Sequence, residues 1–83
     1  MPRFFFHTED GATFPDQDGT ELHDLAAAKT AALKTLGEIL RDDPDIFWAH
    51  QSFHLTCSDS DGVPYFRIDL SADFSPANHL KAV

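Results

Sequence analysis

The sequence predicts an α+β fold: a four-stranded antiparallel sheet made of two β-hairpins, with one long α-helix packed on one face, in the order ββαββ. Three observations predict it. Glycine-bearing turns, Glu9-Asp10-Gly11 and Asp59-Ser60-Asp61-Gly62, each lie between two short runs rich in β-branched and aromatic residues. Between these pairs, apolar residues recur every three or four positions from Leu25 to Leu40. At 83 residues the chain suffices for one core and not for two. Residues 1–74 therefore form a single α+β domain, and 75–83 a C-terminal tail or short helix opening at Ser75-Pro76.

The first strand is the aromatic run Arg3-Phe4-Phe5-Phe6-His7-Thr8, too short for a helix and suited to a pleated surface. If Glu9-Asp10-Gly11 is a three-residue hairpin loop with Gly11 in a left-handed position, Thr8 pairs with Ala12, Phe6 with Phe14 and Phe4 with Asp16. Phe4, Phe6 and Phe14 then share one face. The polar segment Asp16-Gln17-Asp18-Gly19-Thr20 ends this second strand.

Asp24 is placed to cap a helix running from Leu25 to about Asp43, because its carboxylate can accept from free N–H groups of the first turn. Leu25, Ala28, Ala32, Leu36, Ile39 and Leu40 make one apolar stripe, with Thr30, Lys34, Glu38 and Arg41 opposite. Gly37 costs about 1 kcal/mol relative to Ala unless close packing needs it. Pro44 ends the helix, and Asp43-Pro44-Asp45 can restart a short turn through Ile46-Phe47-Trp48. Ser52 to Ser58 and Val63 to Ser71 alternate as a second hairpin. With Ser58 opposite Val63, Phe53 faces Ile68, Leu55 faces Phe66 and Cys57 faces Pro64, leaving Ser52, His54, Thr56, Tyr65, Arg67 and Asp69 on the other face.

Composition narrows the function classes. A hydrophobic fraction of 42% and a charged fraction of 24%, with eight Phe, one Tyr and one Trp, suit a folded core. Fourteen acidic against six basic residues give a net charge of -8, which disfavours nucleic acid and anionic lipid as partners. No apolar run approaches the roughly 20 residues of a membrane helix, and the N-terminus lacks the pattern of a signal peptide. The single cysteine, Cys57, cannot form an internal disulfide and fits a reducing compartment, so a cytoplasmic location is expected.

The opening Met1-Pro2-Arg3-Phe4-Phe5-Phe6-His7, then Asp16 with Asp18-Gly19-Thr20-Glu21, then Asp24-Leu25 leading an alanine-rich helix, together resemble a family of small bacterial proteins classed as a domain of unknown function. The resemblance is specific over the first half of the chain. In the second half it is generic: a strand, the Asp61-Gly62 turn and a closing apolar strand. The chain departs from that pattern in the long connection from Ile46 to Phe53 and in the tail beyond Asp73. The resemblance implies a small α+β fold and carries over no catalytic residue.

Several constellations invite a chemical reading. His50, His54 and Cys57 have ligand-like spacing for zinc, but a strand through Phe53 to Cys57 turns His54 outward and Cys57 inward, so they are expected not to converge. Asp16-x-Asp18-Gly19-x-Glu21 and Asp59-x-Asp61-Gly62 echo fragments of a calcium loop, and turn chemistry accounts for them equally well. His7, His54 and Asp69 could share the open sheet face, yet no nucleophile elbow, phosphate loop or HExxH pattern accompanies them. No catalytic residue, metal or cofactor is therefore expected. Arg3, Phe5, His7, His54, Tyr65 and Arg67 would form an aromatic and basic island on the open face of an acidic protein. The expected function is a non-enzymatic protein-binding or regulatory module, a homodimer associating through that face or an edge strand. The alternative is an acidic inhibitor or nucleic-acid mimic, whose Asp16, Asp18 and Glu21 would occupy a basic site on a partner protein.

Overall fold

A computed structural model describes residues 1–74. The elements are β1 (Arg3–Glu9), β2 (Thr13–Phe14), β3 (Thr20–Glu21), α1 (Leu25–Asp42), α2 (Asp45–Trp48), β4 (Ser52–Ser58) and β5 (Pro64–Ser71). The fold is α+β, with one antiparallel sheet and one main helix. The sheet has five strands rather than four, ordered β2-β1-β4-β5 with β3 also paired to β1. The extra strand arises because the partner of β1 is broken in two. Thr8 pairs with Phe14 and Glu9 with Thr13, whereas Arg3 pairs with Glu21 and Phe4 with Thr20. Between these contacts the chain loops out, beginning at Pro15, which has no N–H to give to a ladder. The expected short helix or tail at 75–83 lies outside the described residues.

Both hairpins differ in register from the sequence-based expectation, each by a shift of two residues that keeps the faces of the paired residues but changes their neighbours, with Tyr65 the exception. In the first, the loop is Asp10-Gly11-Ala12, closed by the Asp10 N–H donating to Ala12 O at 3.2 Å. Gly11 has the expected positive φ, +105°. Phe14 therefore meets Thr8 instead of Phe6, outside both clusters of buried residues, and is exposed. In the second, Phe53 pairs with Leu70, Leu55 with Ile68 and Cys57 with Phe66, and a β-bulge follows where Ser58 pairs with Pro64. Tyr65 is the additional residue of that bulge. The turn is tightened by Asp59, whose Oδ1 accepts from the N–H groups of Asp61 and Val63 at 2.8 and 2.9 Å.

The helix starts as expected, with Asp24 Oδ1 accepting from the Ala27 N–H at 2.9 Å. Ala28, Ala32 and Leu36 are buried along its inner stripe, while Leu25, also expected there, is exposed. Ala28 packs with Phe4 and Cys57, and Ala32 and Leu36 pack with Phe53, Leu55 and Phe47 of α2. The helix thus lies over β1 and β4, and the short α2 closes one end through Phe47. Gly37 faces open space: an added Cβ would meet nothing within 4 Å.

Two stability changes follow. Leu55→Ala, which empties a fully buried site between α1 and the sheet, lowers unfolding free energy by about 2–5 kcal/mol in urea titration. Gly37→Ala raises it by about 0.5–1 kcal/mol, because the helix gains propensity without a clash.

Candidate functional site

The face of the sheet away from α1 carries Arg3, Phe5 and His7 from β1, His54 and Thr56 from β4, and Arg67 and Asp69 from β5. The expected island is divided on this face. The loop between β2 and β3 folds over its β1 end, so the acidic edge and the basic residues expected to serve alternative functions meet each other. Arg3 donates to Asp18 O at 2.8 Å and to Glu21 Oε2 at 3.3 Å. Gly19, at φ +70°, lies so close to Phe5 and Arg3 that a Cβ would sit 2.8 Å from atoms of both. Glycine is required there by conformation and by space. The Phe5 ring is covered by this loop and stacks with His7, with centroids 6.4 Å apart and planes 9° from parallel.

Asp16 holds that loop in place. Its Oδ1 accepts from the N–H groups of Asp18 and Gly19, both at 3.0 Å, and its Oδ2 from the N–H of Phe6 at 3.1 Å. Phe6 lies between Phe4, served by β3, and Thr8, served by β2, so the carboxylate supplies the acceptor that the interrupted strand cannot. Burial works against the ionised carboxylate, but the three N–H donors outweigh it, and the Asp16 pKa lies below its ordinary 3.8.

His7 is fixed from both sides. Its Nδ1 accepts from the Asp16 N–H at 3.0 Å, so the neutral ring carries its proton on Nε2 and donates to Ser58 Oγ at 2.9 Å. Ser58, buried, in turn donates to Asp59 O at 3.1 Å. A histidine beside a serine has the form of a base and nucleophile, but here the imidazole donates to the hydroxyl and cannot receive its proton. The relay ties the β2–β3 loop to the β4–β5 turn.

At the other end of the face, His54 Nδ1 and Arg67 Nε meet the same atom, Asp69 Oδ1, at 2.7 and 2.6 Å. The Arg67 and His54 contacts hold the Asp69 carboxyl below the usual carboxylate range. Tyr65 is not beside Phe5. The bulge turns its ring onto Phe4, 5.3 Å between centroids. The spaced ligand types His50, His54 and Cys57 are likewise apart: His50 lies against Gly11, His54 on the open face, and Cys57 is fully buried beside Phe4 and Ala28. Burial pushes the Cys57 thiol up from its ordinary pKa.

A second surface, not singled out by the sequence, lies along β5. Among the described residues no strand pairs with its outer edge. The phase of its hydrogen bonds follows from the Ala72 N–H, which donates to Gln51 O at 3.1 Å and extends the Ser52 to Ser71 register by one pair. Hydrogen-bonded pairs recur every second residue, so Phe66, Ile68 and Leu70 turn their N–H and C=O toward β4. Arg67, Asp69 and Ser71 turn theirs outward. On the helix side of this edge, Lys29, Leu33, Phe66 and Ile68 line a groove of about 330 Å³. Leu33, which lines this groove, is 61% exposed, and Leu70, two residues beyond Ile68 on the same face of β5, is 38% exposed. A sequence signal for this surface existed in Leu33, an apolar residue outside the buried stripe.

Asp16→Ala should accelerate exchange of the Phe6 amide and lower stability by about 1–2 kcal/mol, the usual scale for losing a side-chain cap of backbone N–H groups. The pH dependence has a fixed sign. Asp16 is more acidic in the folded chain, so its contribution is complete above the unfolded pKa and disappears as pH falls below about 3.8 through the folded value. In Asp16→Asn, chemical unfolding followed from pH 6 to about pH 2 has a shallower acid limb.

No curated protein and no solved structure matches the chain. No helix among the described residues is long and apolar enough to cross a membrane. One family model, Domain of unknown function (DUF6894), matches residues 3–71, from the first residue of β1 to the last of β5. Because that match spans the whole sheet and helix, the chain belongs to the DUF6894 family.

Proposed function

We propose that this domain is a small non-enzymatic protein-binding module that self-associates as a homodimer through the β5 edge and the groove beside it. The observation that carries this is the eight-residue edge strand, unpaired on its outer side among the described residues and flanked by the half-open apolar groove of Leu33, Phe66 and Ile68. Such an edge offers both parts of β-strand addition: backbone groups for affinity and alternate side chains for specificity. The open face, the other route to a dimer, is the weaker candidate. Its Arg3, Phe5 and His7 are engaged by the chain's own Asp16 to Glu21 loop, and its Arg67 and His54 by Asp69.

An acidic inhibitor or nucleic-acid mimic that binds a basic protein partner has less support. Asp16 directs its carboxylate to three backbone N–H groups, and Glu21 faces Arg3, so a partner would have to compete with contacts already made. The two functions respond oppositely to salt. A dimer resting on strand pairing and apolar burial persists when salt is raised, and an electrostatic mimic loses its partner.

Light scattering of the full chain therefore gives twice the chain mass at both low and high salt. Leu33→Lys, exposed in the single chain but bordering the groove, shifts the mass to that of a monomer and leaves the circular dichroism spectrum unchanged. A single-chain mass for the unaltered protein at every concentration would overturn the proposal.

A further inference from the structure

We infer that two copies pair β5 to β5 antiparallel with the two-fold axis at Ile68, joining their sheets into one continuous sheet. This rests on the self-association proposed above and fixes its register. The outward N–H and C=O groups belong to Arg67, Asp69 and Ser71, so in a two-fold pair odd-numbered residues must meet odd-numbered residues. Three central registers satisfy this. With the axis at Arg67, two arginines lie directly opposite; with the axis at Asp69, two aspartates do. Like charges directly opposite destabilise a sheet. With the axis at Ile68, Arg67 of each copy faces Asp69 of the other, twice, so the opposite charges that already meet within each chain also alternate across the seam. Moving the axis further, to Phe66 or Leu70, carries the ladder into the Tyr65 bulge or past Ser71, where β5 ends.

The same register orders the helix side. Phe66 faces Leu70 of the second copy on both sides of the axis, and Ile68 faces its own counterpart in a non-hydrogen-bonded pair, where side chains approach most closely. These residues are half-buried or exposed in one chain, and each lies at or next to the groove that Leu33 borders. The pattern is self-complementary in charge on one face and in apolar shape on the other, which is what an isologous interface requires. The second copy's Phe66, Ile68 and Leu70 are the occupants that the groove receives.

The test is directed cross-linking of the full chain. Cα atoms about 4.5 Å apart across a non-hydrogen-bonded pair are within disulfide range. Ile68→Cys under mild oxidation should give a covalent dimer. Leu70→Cys, which faces Phe66 in this register, should not, and neither should the unaltered chain, whose Cys57 is fully buried. A second, exposed probe guards against loss of packing at Ile68. Arg67→Glu should weaken dimerisation about tenfold, and Arg67→Glu with Asp69→Arg should restore most of it, because opposite charges face one another again. If the unaltered chain is dimeric but Leu70→Cys or Arg67→Cys cross-links in place of Ile68→Cys, the register is overturned and self-association stands. If the unaltered chain is monomeric throughout, both are overturned.

Discussion

One helix is narrower than the sheet it covers, and most features of this domain follow from that mismatch. An α-helix with its side chains is about 10–12 Å across, and strands lie about 4.8 Å apart, so α1 covers roughly two strands. Small residues decide which two. Ala28 and Ala32 bring the helix close to β1 and β4, where Phe4, Phe53, Leu55 and Cys57 fill the space beneath it. Leu36 and Phe47 extend the same core toward α2. The inner face of β5 receives what cover remains, and Phe66, Ile68 and Leu70 stay partly open although they alternate as core residues do.

The opposite face is covered by a different device. The strand that would extend the sheet beside β1 is interrupted at Pro15, and the backbone donor left at Phe6 is satisfied by Asp16. That carboxylate also closes its own loop through Asp18 and Gly19, and the loop lies on Phe5 and Arg3 only because Gly19 has no side chain. His7 then passes the connection through Ser58 to the distant turn. A domain with a net charge of -8 thus places several acids where they order its backbone or face its own bases. This is why the open face and the acidic loop form one assembly and not two competing surfaces, and why the free valence of the sheet lies at β5.

The sequence was legible where chemistry is local. Asp24 as helix cap, Pro44 as helix stop, Gly11 with positive φ, Asp59 in its turn and the alternation of β4 all depend on neighbours within a few residues. Strand register was less so, because alternation has period two and a shift of two residues preserves every inward and outward assignment. Phe53 therefore faces the helix as expected but pairs with Leu70, not Ile68. The bulge at Tyr65 had no local signal, and it moved that ring from the open face to Phe4. The meeting of Asp16 with Phe6 and His7 depends on a strand break whose position only long-range pairing reveals, although Pro15 marked it.

The most direct measurement of the central claim is hydrogen exchange of individual β5 amides as a function of protein concentration. The inward amides of Phe66, Ile68 and Leu70 are bonded to β4 and should resist exchange at all concentrations. The outward amides of Arg67 and Asp69 should exchange rapidly in dilute solution and become protected as the chain is concentrated. Rapid exchange of the outward amides at every concentration, or protection that does not change with concentration, would contradict an edge that awaits a second copy.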